Sequence, residues 1–464
     1  MQAVLAALPQ LLPGQSWLER HSQAMAVAYS GGRDSTALLY LAHAWAGQHG
    51  WSLFAFHIHH GISPDADHWL DHCQQTCAAL NVPFYFERVQ LGQTTSIEAQ
   101  ARTLRYAALG RMCLAHQVRL LLTAHHQDDQ AETVLLQLLR GTGLAGGMEP
   151  FKLAPALLGT DQVCLARPVL ALARAQLCDW LAAQSIRFVD DGSNYDPKYT
   201  RSALRELIVP HLAREFPGFQ QRLARNALHA QSAQRLLQQL AGQDWQRYCA
   251  RAGTGVQHDA LQMLALHELN QDRVQNLLRY WLAQRGARMP PSAWLDQLIT
   301  QLQAAREDAQ VCIDYADAQF HRYRDHIYLA AKWQAALEPI QFQWQGETEI
   351  YFASFSGKLQ IRAAVADEFG VDADWLRHQT LQLDYRQGGE RFKLALNRPN
   401  RSLKQHFQSA DVPGWLRLRL PLLYLANASG SAERLIFVAG LGISGYYSGQ
   451  GGARVCLCWQ ADGA

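Results

Sequence analysis

Residues 25–35, with the sequence MAVAYSGGRDS, decide the fold of this 464-residue chain. The first five are apolar and predict a buried strand, and a helical pattern begins at Thr36. Between them lie two adjacent glycines, which let a backbone approach an anion without a Cβ in the way. The N–H groups at a helix start attract phosphate oxygens. The stretch therefore predicts a strand, a phosphate-binding turn and a helix in direct succession.

No Gly-Lys-Ser/Thr follows the turn, so the lysine that reaches the terminal phosphates in kinase-type P-loops is missing. A turn that binds pyrophosphate suits a reaction that cleaves between the α- and β-phosphates of ATP and activates its substrate as an adenylate. The alternative is a structural glycine turn in an ordinary α/β domain. We predict ATP binding by six consecutive residues: Ser30, Gly31, Gly32, Arg33, Asp34 and Ser35.

The composition is that of a globular protein, with 48% hydrophobic and 18% charged residues. Because the net charge is only +2, any affinity for nucleic acid must come from local basic patches. The nine cysteines have no zinc-site spacing and favour reduced thiols. Residues 4–8 do not form a signal peptide, and no apolar run has the length of a membrane span. We therefore expect a cytoplasmic protein with no membrane partner.

Strand-like and helical patterns alternate between residues 24 and 190, which predicts an α/β fold with a parallel sheet. The predicted strands are 24–29, 53–58, 83–89 and 119–124. Ligands of parallel sheets bind beyond the carboxyl ends of the strands. We therefore expect three segments to meet at one edge of the sheet: Ser30, His59-His60-Gly61 and His125-His126.

Two further domains are predicted after this one. Residues 219–306 carry apolar positions at helical spacing and predict an all-helical stretch. From residue 341 onward, strand patterns interrupted by Gly and Pro predict a small α+β domain. The predicted domains are 1–216, a parallel-sheet nucleotide-binding domain; 217–337, a helical domain; and 338–464, a C-terminal α+β domain.

A second motif, HHQDDQAET at residues 125–133, follows a predicted strand and opens a helix. Asp129 and Glu132 share one helical face. Carboxylates beside a bound triphosphate repel it unless Mg²⁺ lies between them, so we assign Mg²⁺ to Asp34 and Asp129. Zinc would need histidines at i, i+4, and helix capping by Asp128 is the structural alternative. The G-x-G-x-x-G at 141–146 follows a helix, and we predict a loop there rather than a second nucleotide site.

Further segments are 60–63 (HGIS), 66–69 (ADHW), 98–106, 140–148 and 191–201, and near the end 388–391 (GGER), 401–407 (RSLKQHF) and 413–422 (PGWLRLRLPL). Together with the turn at 30–35 and the motif at 125–133, they resemble the tRNA(Ile)-lysidine synthetases, a family of PP-loop ATP pyrophosphatases. The resemblance reaches both ends of the chain, and only the helical middle carries no matching motif.

The resemblance implies an ATP-dependent ligase that modifies the wobble cytidine of an isoleucine tRNA with a CAU anticodon. In that family, ATP adenylates the oxygen on carbon 2 of the base and pyrophosphate leaves. Free L-lysine then attacks this carbon through its ε-amine and expels AMP, which gives lysidine. The helical and C-terminal domains would accordingly bind the tRNA.

Site residues follow from the motifs and this chemistry together. Asp129 or Glu132 would orient or deprotonate the lysine amine, whose ordinary pKa is near 10. Arg105 and Arg201 would stabilise charge on the phosphate or hold the substrate. At the ends of the predicted strands, the nucleotide site would also include His60, Gly61 and His125.

The C-terminal third combines basic residues with the aromatic Phe407 and Trp415, a mixture that suits RNA backbone contacts and base stacking, or simply a solvated surface. The basic residues are Arg391, Lys393, Arg398, Arg401, Lys404, Arg417 and Arg419. Two other functions stay open: another PP-loop enzyme, such as a tRNA thiolase or an amidotransferase-type ligase, and a non-catalytic tRNA-binding module. The oligomeric state is also open, with a homodimer as the assembly considered.

Overall fold

The computed structural model of the chain describes residues 23–59, 61, 65–90, 97–141, 143–189, 200–251, 259–306, 311–332, 338–365, 368–426, 432–449 and 452–461. They form two compact units, Met1–Leu236 and Leu237–Ala464. The bounds of the three domains inferred from the sequence stay a prediction.

A six-stranded sheet forms the centre of the first unit, in the order β3-β2-β1-β4-β6-β5. All neighbours are parallel except β5 and β6, so the predicted parallel sheet is confirmed and has one antiparallel edge strand. Its strands are β1 (Ala24–Ala28), β2 (Ser52–His59), β3 (Phe84–Arg88), β4 (Leu120–Leu122), β5 (Phe151–Leu153) and β6 (Cys164–Ala166).

Helices cover both faces of this sheet because successive side chains of a strand point to opposite faces. Met25 and Val27 pack in one apolar cluster with α1, α2 and α6, whereas Ala24 and Ala26 pack in another with α3. The helices of this unit are α1 (Arg33–His49), α2 (Ala66–Ala79), α3 (Ile97–Ala115), α4 (Gln127–Leu139), α5 (Pro155–Leu158), α6 (Arg174–Ala183), α7 (Thr200–Ala203), a π-helical turn (Leu204–Ile208) and α8 (Val209–Glu215); α9 (Phe219–Tyr248) runs into the second unit.

The second unit begins with helices packed on a five-stranded antiparallel sheet, ordered β7-β8-β11-β10-β9. The expectation of an all-helical stretch over 219–306 is wrong at β7 and β8. Strands of three or four residues carry no readable period, and β11, which pairs with β8, lies beyond that stretch. The elements are β7 (Cys249–Arg251), β8 (Asp259–Gln262), α10 (Leu264–Glu268), α11 (Gln271–Gln284), α12 (Ser292–Ala304), β9 (Val311–Tyr315), β10 (Ala318–Tyr323) and β11 (His326–Ala331).

The C-terminal part has the predicted α+β character, with sheets β12-β16-β19-β20-β21 and β13-β14-β22-β15 and the hairpin β17-β18. Its strands are β12 (Ile340–Phe342), β13 (Glu349–Phe352), β14 (Gly357–Ala363), β15 (Val371–Asp372), β16 (Leu381–Asp384), β17 (Arg391–Phe392), β18 (Arg401–Ser402), β19 (Leu422–Ala426), β20 (Ala432–Val438), β21 (Gly442–Ile443) and β22 (Arg454–Ala461). Its helices are α13 (Ala373–Arg377), α14 (Leu403–Ser409) and α15 (Gly414–Arg417), with a 3₁₀ turn at Ala353–Phe355.

A stacked pair of rings joins β10 to α15 inside the second unit. The His321 and Trp415 rings lie 4.2 Å apart at an interplanar angle of 7°. Arg419 donates to the Gln319 side chain at 2.9 Å, and Arg324 forms an ion pair with Asp411. His321 is only 4% exposed, so its imidazole is held in an apolar contact that disfavours charge.

We expect the free energy of unfolding of the second unit to fall as the pH falls from about 6.5 to 4. Burial, together with the charge of Arg419, lowers the pKa of His321 to about 4. Between these pH values the unfolded chain binds a proton at His321 that the folded chain does not. The free energy of unfolding therefore falls by at most about 1.4 kcal/mol for each pH unit. Above pH 6.5 this contribution is fully present.

Urea unfolding of His321→Gln at a series of pH values checks this expectation, and its pH dependence should be flatter than that of the wild type. The matched control is His378→Gln, at an exposed histidine of the same unit, which should follow the wild type. Equal slopes for the wild type and His321→Gln would contradict it.

Candidate active site

The turn at residues 30–35 is closed by its own serine hydroxyls. The Ser30 and Ser35 Oγ atoms lie 3.0 Å apart, and the Ser35 hydroxyl donates to the Gly32 carbonyl at 2.9 Å. Gly32 is the N-cap of α1, and no side chain caps that end. Since the first N–H groups of a helix have no partner within the helix, they point to the space beyond β1. This end of α1 can bind phosphate oxygens.

Gly31 is the glycine that the turn requires. Its φ is +80°, a left-handed conformation that side chains disfavour, and a Cβ there would lie 2.8 Å from the Cys73 sulfur. Its carbonyl accepts from the Val189 N–H at 2.9 Å and from the Thr36 hydroxyl at 3.2 Å. Gly32, in contrast, has extended backbone and only ordinary contacts at its Cβ position.

His126 is the residue that joins this turn to the second motif. It is the N-cap of α4: its Nδ1 accepts from the Asp129 N–H at 3.3 Å, while its own N–H donates to Asp129 Oδ2 at 3.1 Å. In the neutral ring the proton therefore lies on Nε2. That nitrogen lies 3.6 Å from Asp34 Oδ2 and 3.4 Å from Asp129 Oδ2. One buried imidazole thus brings together the carboxylates from the starts of α1 and α4.

The protonation of this group follows from its geometry. Burial would lower the pKa of His126, but its hydrogen bond with Asp34 and the charges of Asp129 and Asp128 raise it above the ordinary value. Burial would raise the pKa of Asp34, but the hydrogen bond and charge of His126, with Arg174 and Arg33, lower it. Asp34 is therefore a carboxylate at neutral pH.

One carboxylate oxygen of Asp34 has the environment of a cation ligand. Its Oδ1 is buried and accepts no hydrogen bond from the described residues. A buried anionic oxygen of this kind fits a cation, and Mg²⁺ is bound in proteins by one or two carboxylates together with substrate phosphates. Within the described ranges, no three His, Cys, Asp or Glu side chains converge as a complete metal site. The donor set therefore fits Mg²⁺ that is shared with a nucleotide rather than a metal held by protein alone.

Glu132, on the next turn of α4, is paired with an arginine. Arg205 Nε donates to Glu132 Oε1 at 2.7 Å and its Nη2 donates to Oε2 at 2.8 Å. The same Nη2 lies 3.5 Å from Asp129 Oδ1. Glu132 is 3% exposed, so this bidentate partner is what keeps its charge in the interior.

A small cavity of about 120 Å³ lies beside this ion pair. Its wall combines two carboxylates and two guanidinium groups with an apolar side. The lining residues are His126, Asp128, Ala131, Glu132, Arg174, Arg205, Val209, Phe219 and Gln220. Asp128 also accepts from the Arg174 N–H at 2.9 Å, which ties α4 to the start of α6. A ligand with an amine, an aliphatic chain and an acidic group would find a partner for each part here.

A second group of charges, the arginine cluster (Arg102, Arg105, Arg167 and Arg201), surrounds His125. The His125 Nδ1 lies 3.0 Å from the Thr123 hydroxyl. Burial, followed by the charges of these four arginines, lowers the pKa of His125 well below its ordinary value, so the ring is neutral. Arg201 donates to the Thr133 hydroxyl on α4 at 3.2 Å, and the buried Arg167 Nε has no partner among the described residues. The cluster is suited to an anion.

Comparison with known proteins places this chain in a family. Three family models match: a PP-loop domain over residues 7–212, the TilS substrate binding domain over 261–328 and the TilS substrate C-terminal domain over 381–459. The tRNA(Ile)-lysidine synthase of Burkholderia pseudomallei is 39% identical over 453 residues, covering 90% of this chain and 89% of the relative. The chain belongs to the tRNA(Ile)-lysidine synthase family.

Other relatives agree with this assignment. The tRNA(Ile)-lysidine synthase of Ralstonia nicotianae is 40% identical over 434 residues (90% of this chain, 88% of the relative), and that of Escherichia coli O157:H7 is 34% identical over 454 residues (95% and 97%). The family, the PP-loop fold, the use of ATP and the class of ligase predicted from the motifs are thereby confirmed. Among the described helices, none has the length and hydropathy needed to cross a membrane.

The structure places most of the predicted site residues in two groups. Asp34, in the turn at 30–35, approaches Asp129 through His126, and Arg205 joins Asp129 to Glu132. Arg105 and Arg201 belong to the arginine cluster around His125. Arg33 instead lies over the Phe188 ring, 5.1 Å from its centroid. Gly61 is exposed just beyond β2; His60 and residues 191–199 lie outside the described residues.

Two residues that contact the predicted carboxylates, His126 and Arg205, had no role assigned from the sequence, although His126 was expected at this edge of the sheet. His126 carries a sequence signal, since it precedes a helix whose third residue is the acidic Asp129. Arg205 carries none, because it lies more than seventy residues from Glu132 in the chain.

The expected aromatic residues of the C-terminal basic patch are placed differently. Phe407 is completely buried, and Trp415 packs on His321. Arg417 donates to the Val412 carbonyl and Arg419 to Gln319. The expectation that Phe407 presents an open ring to RNA is wrong, because this ring is completely buried in the apolar core, whereas Trp415 is partly buried and packs against that core.

Replacing Arg205 by Ala should lower the free energy of unfolding of the first unit by roughly 2–3 kcal/mol, because it leaves the Glu132 carboxylate buried without a partner. Urea unfolding measures the change. The matched control is Arg214→Ala, whose exposed partner Glu215 stays solvated, and it should change stability by less than about 0.5 kcal/mol. Equal losses in both variants would contradict a special role for the Glu132–Arg205 pair.

Proposed function

We propose that this chain ligates L-lysine to carbon 2 of the wobble cytidine in the isoleucine tRNA with a CAU anticodon, using ATP and forming lysidine, AMP and pyrophosphate. The observation that carries the proposal is that His126 Nε2 lies close to carboxylate oxygens of both Asp34 and Asp129, beside the PP-loop turn. It supports an adenylating centre in which nucleotide phosphates and carboxylates share a cation.

In this proposal ATP lies beyond the end of β1. Ser30, Ser35 and the N–H groups at the start of α1 bind the pyrophosphate portion, and Gly31 and Gly32 admit it closely. His60, Gly61 and His125, beyond the ends of β2 and β4, would line the rest of the nucleotide site, with Arg33 at its rim.

Asp34 and Asp129 would hold Mg²⁺, which supplies charge neutralisation between the carboxylates and the phosphates. The unpartnered Asp34 Oδ1 supports this assignment.

The first step joins the cytidine O2 to the α-phosphorus of ATP and breaks the bond to the bridging oxygen of pyrophosphate. Negative charge builds on the phosphoryl oxygens at this point. Arg105 and Arg201, in the arginine cluster, would stabilise that charge or hold the substrate. The neutral state of His125 allows it to lie among four arginines without adding to their repulsion.

In the second step the lysine ε-amine attacks carbon 2, and AMP leaves with the former O2. The amine must first lose a proton, since its ordinary pKa is near 10. Asp129 is the better-placed acceptor, because its hydrogen bonds from the His126 N–H and from Arg205, at 3.1 and 3.5 Å, are longer than those that Glu132 accepts from Arg205, at 2.7 and 2.8 Å. Glu132 would orient the amine. The cavity lined by Asp128, Glu132 and Arg174 supports an amino-acid site next to these groups.

A tRNA thiolase is the rival PP-loop enzyme. It needs reactive thiols at the site, and four of the five cysteines of the first unit (Cys73, Cys77, Cys113 and Cys164) are buried, while the half-buried Cys178 accepts from Arg33 at 3.6 Å. Burial raises the pKa of Cys73 and Cys77 to about 12, which disfavours the thiolate. The paired carboxylates likewise support a working enzyme over a non-catalytic tRNA-binding module. A cytoplasmic location and a homodimer stay predictions of this proposal.

The wild type should release pyrophosphate from ATP with the CAU isoleucine tRNA, and lysine should complete the turnover. Asp34→Ala should reduce release at least about 100-fold while the Kd for tRNA stays unchanged, because only the phosphate and cation contacts are lost. A coupled pyrophosphate assay and a filter-binding titration measure the two quantities.

Asp161→Ala, at an exposed aspartate of the same unit, is the matched control and should behave as the wild type. Pyrophosphate release that ignores lysine, or that accepts every tRNA equally, would favour a rival. Undiminished turnover in Asp34→Ala would remove this carboxylate from the site.

Reversing Arg401 and Lys404 to Glu should weaken tRNA binding and reduce its dependence on salt, because both side chains are exposed on the β17–β18 hairpin and α14. Losing two phosphate contacts lowers the slope of log K against log salt by up to roughly two. The control is Lys358→Glu, at a lysine whose charge Glu349 already neutralises at 2.6 Å. An unchanged salt series would exclude this patch from the interface.

A further inference from the structure

One turn of the C-terminal part presents an aromatic ring to solvent. Tyr446 follows β21 and is 60% exposed. Its position is fixed by the backbone before it: the Gly445 N–H donates to the Lys393 carbonyl at 2.7 Å, and Ser444, which is buried, receives the Tyr446 and Tyr447 N–H groups. The exposed ring therefore stands on an ordered base.

A cation lies over one face of this ring, which leaves the other face for a stacking partner. Lys393 Nζ is 5.0 Å from the Tyr446 ring centroid. Lys393 begins the loop between β17 and β18, and Leu396 on the same loop is 67% exposed. Basic and apolar surface thus meet at Tyr446.

The other basic side chains of this hairpin and of the following helix have no carboxylate partner in the described part of the chain. Arg398, Arg401 and Lys404 are exposed on the same hairpin and the following helix. Throughout the described part of the chain, neither these three nor Lys393 forms an ion pair with a carboxylate. Such side chains are free to contact phosphates, in contrast to Arg386, which pairs with Glu390 at 3.2 Å.

Another exposed tyrosine of this unit shows the difference. Tyr351 is 61% exposed and also lies opposite a lysine, Lys358, on the neighbouring strand. That lysine, however, donates to Glu349 at 2.6 Å. Exposure alone therefore does not distinguish Tyr446, whereas its unneutralised basic surroundings do.

We propose that Tyr446 is a stacking platform for an unpaired base of the tRNA, and that Lys393, Arg398 and Arg401 contact the phosphates on either side of that base. An aromatic ring next to cations is the arrangement that proteins use for single-stranded RNA. This inference rests on the proposed function, and it gives Tyr446 the stacking role that the buried Phe407 cannot take.

Titrating the full-length protein with the CAU isoleucine tRNA at several salt concentrations tests the proposal. Tyr446→Ala should raise the Kd about tenfold at every salt concentration and leave the salt slope unchanged, because a stacking contact releases no counterions. Tyr446→Phe keeps the ring and should bind within about twofold of the wild type. Lys404→Gln should instead lower the slope by roughly one.

Tyr351→Ala is the matched control and should bind as the wild type does. With pyrophosphate release as a second readout, Tyr446→Ala should raise the KM for tRNA and leave kcat at saturating tRNA unchanged. A Kd for Tyr446→Ala within twofold of the wild type, or the same loss in Tyr351→Ala, would overturn the proposal. If the wild type itself neither binds this tRNA nor releases pyrophosphate with it, the proposed function fails instead.

Discussion

The contact of one buried imidazole with two carboxylates organises the active site. His126 caps α4 through its Nδ1 and faces Asp34 and Asp129 through its Nε2. This is possible only because β1 and β4 are parallel neighbours, so that the starts of α1 and α4 lie at the same edge of the sheet. Placing two carboxylates next to a phosphate-binding turn creates repulsion, which the imidazole reduces and a shared cation would remove.

The charged side chains around α4 form two groups, one that contains carboxylates and one made of arginines. On one side Asp129 and Glu132 are held by Arg205, and on another the arginine cluster surrounds a neutral His125. Uncompensated charges of either sign would be costly inside a protein, so each group has a partner or awaits a ligand of opposite sign. A reaction that brings together polyphosphate, an amine and a nucleobase needs both kinds of surroundings within one site, and the proposed ligation uses them in turn.

Local patterns predicted the first unit well. Strands β1 to β4, the turn at Ser30 and the helix after His126 follow from apolar runs and from glycine and cap residues, which act between near neighbours in the chain. The prediction failed where the partner is distant: β7 and β8 are strands only because β11 completes their sheet. Phe407 and Trp415 were assigned to RNA because composition cannot tell an open ring from one that a small core needs.

The sequence by itself determined the PP-loop turn, the carboxylates of the second motif and the family, because each of these depends on residue types at fixed short spacing. Only the tertiary structure decided that His126 lies between Asp34 and Asp129 and that Arg205 forms an ion pair with Glu132. It also decided that Tyr446, rather than the partly buried Trp415, is the exposed ring. These depend on which side chains the folded backbone brings within about 4 Å, and sequence separation carries no information about that distance.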